Sequence, residues 1–76
     1  MNEVYVPYEF EVEKGQTIPK ENFIKGKELY EKTIDFCEKN LLKSKYIVDA
    51  TAYAKGIRVQ CKYKKDIKVI EQWIKQ

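Results

Sequence analysis

From Ile57 to Tyr63 the chain alternates without a break. Ile57, Val59, Cys61 and Tyr63 are apolar or aromatic, and Arg58, Gln60 and Lys62 between them are polar, with Lys64 continuing the pattern. A period of two is the signature of a β-strand with one buried face and one wet face. Such a strand needs neighbours in a sheet and a layer over its apolar side, so the rest of the chain must supply both.

Two more stretches have the same period. Val4, Val6, Tyr8, Phe10 and Val12 alternate with Tyr5, Pro7, Glu9, Glu11 and Glu13. Pro7 lacks an N–H donor, which suits an edge strand. Tyr46 to Ala54 reads as a further strand with Tyr46, Val48, Ala50, Ala52 and Ala54 on one side. Lys55-Gly56 is the expected turn into the strand that follows, glycine accepting positive φ.

Between the first two strands the period lengthens. Phe23, Tyr30, Ile34, Cys37 and Leu41 form one stripe of an amphipathic helix running from Thr17 to about Leu42. Thr17 is the expected N-cap, and Gly26 is expected to delay regular helix until near Lys27. Acid-before-base pairs at Glu21–Lys25, Glu28–Lys32 and Asp35–Lys39 mark the solvated face. After the last strand, Asp66 is the expected cap of a second helix on which Ile67, Ile70, Trp73 and Ile74 share a face.

The order is therefore strand, helix, strand, strand, helix. The expected fold class is α+β: a compact βαββα two-layer domain with a three-stranded mixed sheet, order 1-3-2, and two helices on one face. Glu9, Glu11 and Glu13 on strand one would then oppose Arg58, Lys62 and Lys64 on strand three, and cross-strand opposite charges favour that order. The arrangement resembles a ferredoxin-like domain without its last strand. The βαββα order is also similar, in topology alone, to that of small DNA-damage-inducible inhibitor proteins. The expected core holds Val4, Val6, Phe10, Phe23, Tyr30, Ile34, Cys37, Val48, Val59, Cys61, Ile70 and Trp73. Seventy-six residues accommodate one such domain.

Catalytic chemistry finds little to use. The chain has no histidine, no glycine-rich phosphate loop and no serine-centred elbow. Its two cysteines alone cannot complete a four-ligand zinc site. Cys37 and Cys61 read as small buried groups, or as a redox pair if the fold joins them. The expectation is no enzyme, no cofactor and no small-molecule substrate. No apolar run approaches a membrane span and the N-terminus does not resemble a secretory signal, so a cytoplasmic, reducing location is expected.

Two surfaces are candidates for binding. Strand 46–54 is expected to be an edge carrying only Asp49 as a charge, open to strand addition by a target or a second copy. Tyr5, Ile47, Asp49, Thr51 and Tyr53 would form this protein-binding surface. The other candidate is basic: the net charge is +3, from fourteen lysines and one arginine against twelve acids. Lys43, Lys45, Lys62, Lys64, Lys65 and Lys68 would gather toward one pole and, with Arg58 of the open sheet face, contact the phosphates of a nucleic acid. The leading reading is a non-catalytic module acting through protein contact, an inhibitor or regulator of a macromolecular machine of the mobile-element or phage-like accessory kind. The alternative is a nucleic-acid-binding protein.

Overall fold

The computed structural model describes residues 2–10, 15–40, 45–50 and 56–76. Its elements are β1 (Asn2–Pro7), α1 (Lys20–Asn40), β2 (Tyr46–Asp49), β3 (Gly56–Cys61) and α2 (Lys64–Ile74). The sheet order is β1-β3-β2, as expected from the sequence. Both pairings are antiparallel, so β1 and β2 run parallel to each other without touching, and the sheet is not mixed in its neighbours. Ile57, Val59 and Cys61 of β3 are fully buried, with Val6 of β1, Cys37 of α1, and Ile67 and Ile70 of α2 completing the core. Val4, Val48, Leu29, Tyr30, Phe36 and Trp73 pack around it.

The charge argument for this order does not survive the register. β1 stops at Pro7, whose missing N–H cannot extend the ladder. Tyr5, rather than a glutamate, stands opposite Arg58, and Glu3 stands opposite Gln60. Glu9 lies beyond the end of β3, exposed, in a shallow cleft with Lys25 and Lys32 of α1. Val12, Glu11 and Glu13 lie outside the described residues. What places β3 in the centre is its apolar face, the most completely buried of the three strands.

Gly56 is not a positive-φ turn residue; among the described residues only Gly15, at φ 94°, has that conformation. Gly56 instead opens β3 directly opposite Pro7. A Cβ there would collide with the backbone carbonyl of Val6 and come within 2.8 Å of Pro7 Cα. Close approach of two backbones is what the glycine provides. Residues 51–54 of the expected second strand, and Lys55, lie outside the described residues.

Helix α1 starts directly after Pro19, whose carbonyl accepts from Asn22 N–H at 3.0 Å. Thr17 is upstream and exposed, so it is not the cap. The helix runs through Gly26 without delay, under the rings of Tyr8 and Phe10. Its buried positions are Thr33 and Cys37. The inward stripe is thus rotated from the expected one: Phe23 is 57% exposed, and neither Phe10 nor Ile34 joins the core. Thr33 can be buried because its hydroxyl donates to the Leu29 carbonyl at 2.7 Å, leaving no unpaired donor.

Helix α2 has Tyr63, not Asp66, at its N-cap. Tyr63 is extended (φ −108°, ψ 134°) and contributes no side-chain capping bond. Asp66 sits in the first turn, its N–H donating to the Tyr63 carbonyl at 3.1 Å. Ile67, Ile70, Trp73 and Ile74 face inward as expected. Trp73 stacks on Phe36 of α1 with ring centroids 4.4 Å apart and planes 8° apart, joining the two helices.

Candidate functional site

The helices cover one face of the sheet and leave the other open. Across that open face the register aligns Tyr5, Arg58 and Asp49 in one row and Glu3, Gln60 and Ile47 in the next. Three of the five expected protein-binding residues, Tyr5, Ile47 and Asp49, therefore share one surface; Thr51 and Tyr53 lie outside the described residues. Ile47 is 47% exposed, the most open apolar side chain of the sheet. Arg58 donates to Asp49 Oδ2 at 2.5 Å. That hydrogen bond, reinforced by the carboxylate charge, raises the guanidinium above its ordinary value. The pair cancels the only two formal charges in its row.

β2 is an edge, and its hydrogen-bond phase can be read. Lys62 N–H donates to the Lys45 carbonyl at 3.3 Å. Hydrogen-bonded and non-bonded pairs alternate along an antiparallel ladder. Ile47 and Asp49 therefore bond to β3, while Tyr46 and Val48 aim their N–H and C=O groups at the free side. Beside the end of this edge, on the helix-covered side, lies a groove of about 430 Å³. Tyr8, Phe10, Ile18, Phe23, Gly26, Tyr30, Val48 and Ala50 are among its walls. Tyr8 and Phe10 stack at 4.8 Å, 12° from parallel. Sequence reasoning missed this groove by assigning Phe10 and Phe23 to the core.

The basic residues divide. Arg58 is mid-sheet and paired with Asp49. Lys45 and Lys62 are joined by the backbone bond just described, and Lys64, Lys65 and Lys68 follow on α2. Lys43 lies outside the described residues. Among the described residues none of these lysines has a carboxylate within ion-pair distance. Tyr63, expected to face inward as part of the third strand, is 46% exposed at the same pole because β3 ends at Cys61. Lys62 Nζ and Lys65 Nζ lie 5.6 and 5.5 Å from its ring centroid. The interleaved run Lys62-Tyr63-Lys64-Lys65 was the available sequence signal.

Cys37 and Cys61 are free thiols, both fully buried. Burial, with a smaller contribution from Cys61, pushes the Cys37 thiol up to about 11. Burial and then Asp66 raise Cys61. Thiols held protonated in this way are weak nucleophiles and weak ligands. Among the described residues no group of three or more potential ligands is arranged to hold a metal. No helix among them is long and apolar enough to cross a membrane.

Comparison with protein-family models, with curated proteins and with solved structures returns no match.

Proposed function

We propose that the chain is a non-catalytic module that binds an extended segment of a partner protein as an added strand on β2. The observation that carries this reading is the free edge of β2 with apolar surface on both sides of it: Ile47 on the open face, the aromatic groove beneath. In strand addition, main-chain hydrogen bonds supply affinity and pockets for alternate side chains supply selectivity. A partner strand paired with Tyr46 and Val48 would send one side chain toward Ile47 and the next toward Tyr8, Phe10 and Phe23. The Arg58–Asp49 pair leaves that row without net charge, so a partner strand meets no uncompensated charge there. Such a module occupies its partner, as an inhibitor or regulator of a larger assembly does. Two unpaired buried thiols are compatible with work in a reducing compartment such as the cytoplasm.

The test compares wild type with Ile47→Lys, Val48→Pro and Val48→Ala in partner recovery and light scattering. Val48→Ala keeps the outward N–H and Val48→Pro removes it, so their difference reports the edge and not the lost packing. Recovery should fall for Ile47→Lys and for Val48→Pro beyond Val48→Ala. A mass change on the same variants would identify a second copy as the strand donor. Equal recovery and equal mass across all four proteins would overturn the reading.

A further inference from the structure

A separate surface carries a second activity, independent of the β2 edge. We propose that the basic pole binds single-stranded nucleic acid, with Tyr63 stacking on a base and Lys45, Lys62 and Lys65 contacting the flanking phosphates.

Three observations converge there. The first is an exposed aromatic ring on a turn, with the ammonium groups of Lys62 and Lys65 over it at 5.6 and 5.5 Å from its centroid, so that a base stacking there displaces them toward its flanking phosphates. The second is uncompensated charge. Among the described residues Lys45, Lys62, Lys64, Lys65 and Lys68 have no ion-pair partner, and Lys45 is tied to Lys62 through the backbone. Lys62 and Lys65 share one ring, and like charges on one pole repel one another, a repulsion that a bound polyanion relieves. The third is the start of α2. Tyr63 supplies no side-chain cap, and Asp66 N–H is taken by the Tyr63 carbonyl, so the backbone N–H groups of Lys64 and Lys65 at the start of this 11-residue helix have no capping side chain. Asp66 is the one acid in that turn. It is 8% exposed and withdrawn from the surface that the lysines form.

The chemistry selects the partner. Lysine is a point charge that contacts phosphate without reading bases, and an aromatic face accepts any base. A sequence-tolerant single strand fits both, whereas in a duplex the base faces are already stacked on one another. An anionic membrane fits less well, because the apolar side of α2, Ile67 and Ile70, is buried in the core and unable to insert. An acidic peptide would satisfy the lysines but would leave the exposed ring without a role.

The experiment is fluorescence anisotropy with labelled oligouridylate, oligothymidylate, a mixed-sequence duplex and phosphatidylserine vesicles, from about 50 to about 200 mM salt. Three phosphate contacts on a single strand predict a weakening of roughly 20-fold across that range. Tyr63→Ala should weaken binding by roughly tenfold or more, and Tyr63→Phe should retain it, since stacking needs the ring and not the hydroxyl. Lys62→Glu with Lys65→Glu should abolish it. Circular dichroism checks that these exposed substitutions leave the fold intact. Ribo- and deoxyribo-oligomers differ only in which source supplies the strand, and binding of either supports the proposal. The proposal is overturned by no binding to either oligomer at the lower salt, by duplex or vesicle binding as tight as the single strands, or by Tyr63→Ala binding as wild type does.

Discussion

Gly56 and the two cysteines show how single residues set limits on this molecule. Gly56 lies where β3 meets the carbonyl of Val6, and any Cβ there forces the strands apart. Gly56→Ala should therefore destabilise the domain by about 2 kcal/mol or more, a strain of the overpacking kind, read as a lowered denaturation midpoint. Gly26 provides the contrast, since its added Cβ would meet Tyr8 and Phe10 at 3.8 and 3.9 Å, ordinary contact distances. Gly26→Ala should be neutral or mildly stabilising, because alanine is the better helix former. The thiols impose a pH limit. In the unfolded chain Cys37 ionises near its ordinary value of 9.0, and in the fold near 11. Between those values the folded protein holds the proton more tightly, so stability present below pH 9 is lost as pH rises toward 11. Thermal melts across that range should show the decline, and Cys37→Ala should flatten it. At pH 8 the native protein should react with thiol reagents only as fast as it opens.

At the level of elements, legibility followed the hydrophobic period. β3 and α2 were the most legible elements, because the core uses the apolar pattern of β3 from Ile57 through Cys61, leaving only Tyr63 outside it, and the whole of the expected face of α2. α1 was legible as a helix, but its face was not. Thr33 has a polar name, yet its hydroxyl is satisfied by the Leu29 carbonyl, so the buried stripe passes through it and turns Phe23 outward. β1 was read too long because Tyr8, Glu9 and Phe10 keep the alternation after the ladder has ended at Pro7. The strand order came out correctly although, of the glutamates invoked for it, Glu9 lies beyond the end of the β1–β3 ladder and Glu11 and Glu13 lie outside the described residues. Of the candidate sites, the open-face residues Tyr5 and Ile47 and the lysine pole were legible from alternation and charge. The aromatic groove and Tyr63 were not, because both depend on where an element stops. The helix assignment has its own test. Trp73→Ala removes the stack that joins α2 to α1 and should lower stability by about 2 kcal/mol or more. Phe23→Ala should stay within about 0.5 kcal/mol of wild type, since its side chain is mostly exposed.

For the molecule as a whole, the basic pole and the aromatic groove lie at opposite ends of one short strand, whose edge completes the protein-binding surface. β2 leaves Lys45 at the basic pole and reaches the aromatic groove at Asp49 and Ala50. Four strand residues span only about 13 Å, so both surfaces fit on one side of a molecule measuring 38 × 21 × 20 Å. They nevertheless use different chemistry. The edge depends on backbone hydrogen bonds and apolar contact, which salt strengthens or leaves alone. The pole depends on phosphate contacts, which salt weakens. Val48→Pro should therefore lose the protein partner while leaving oligouridylate affinity within about twofold of wild type. Lys62→Glu with Lys65→Glu should do the reverse, and the protein partner should still be recovered after nuclease treatment. Raising salt should separate the same two activities in the unmodified protein. If instead each set of variants removes both activities, the two ends of β2 form one composite surface for a single nucleoprotein partner. In that case nuclease treatment should release the protein partner from the wild type as well.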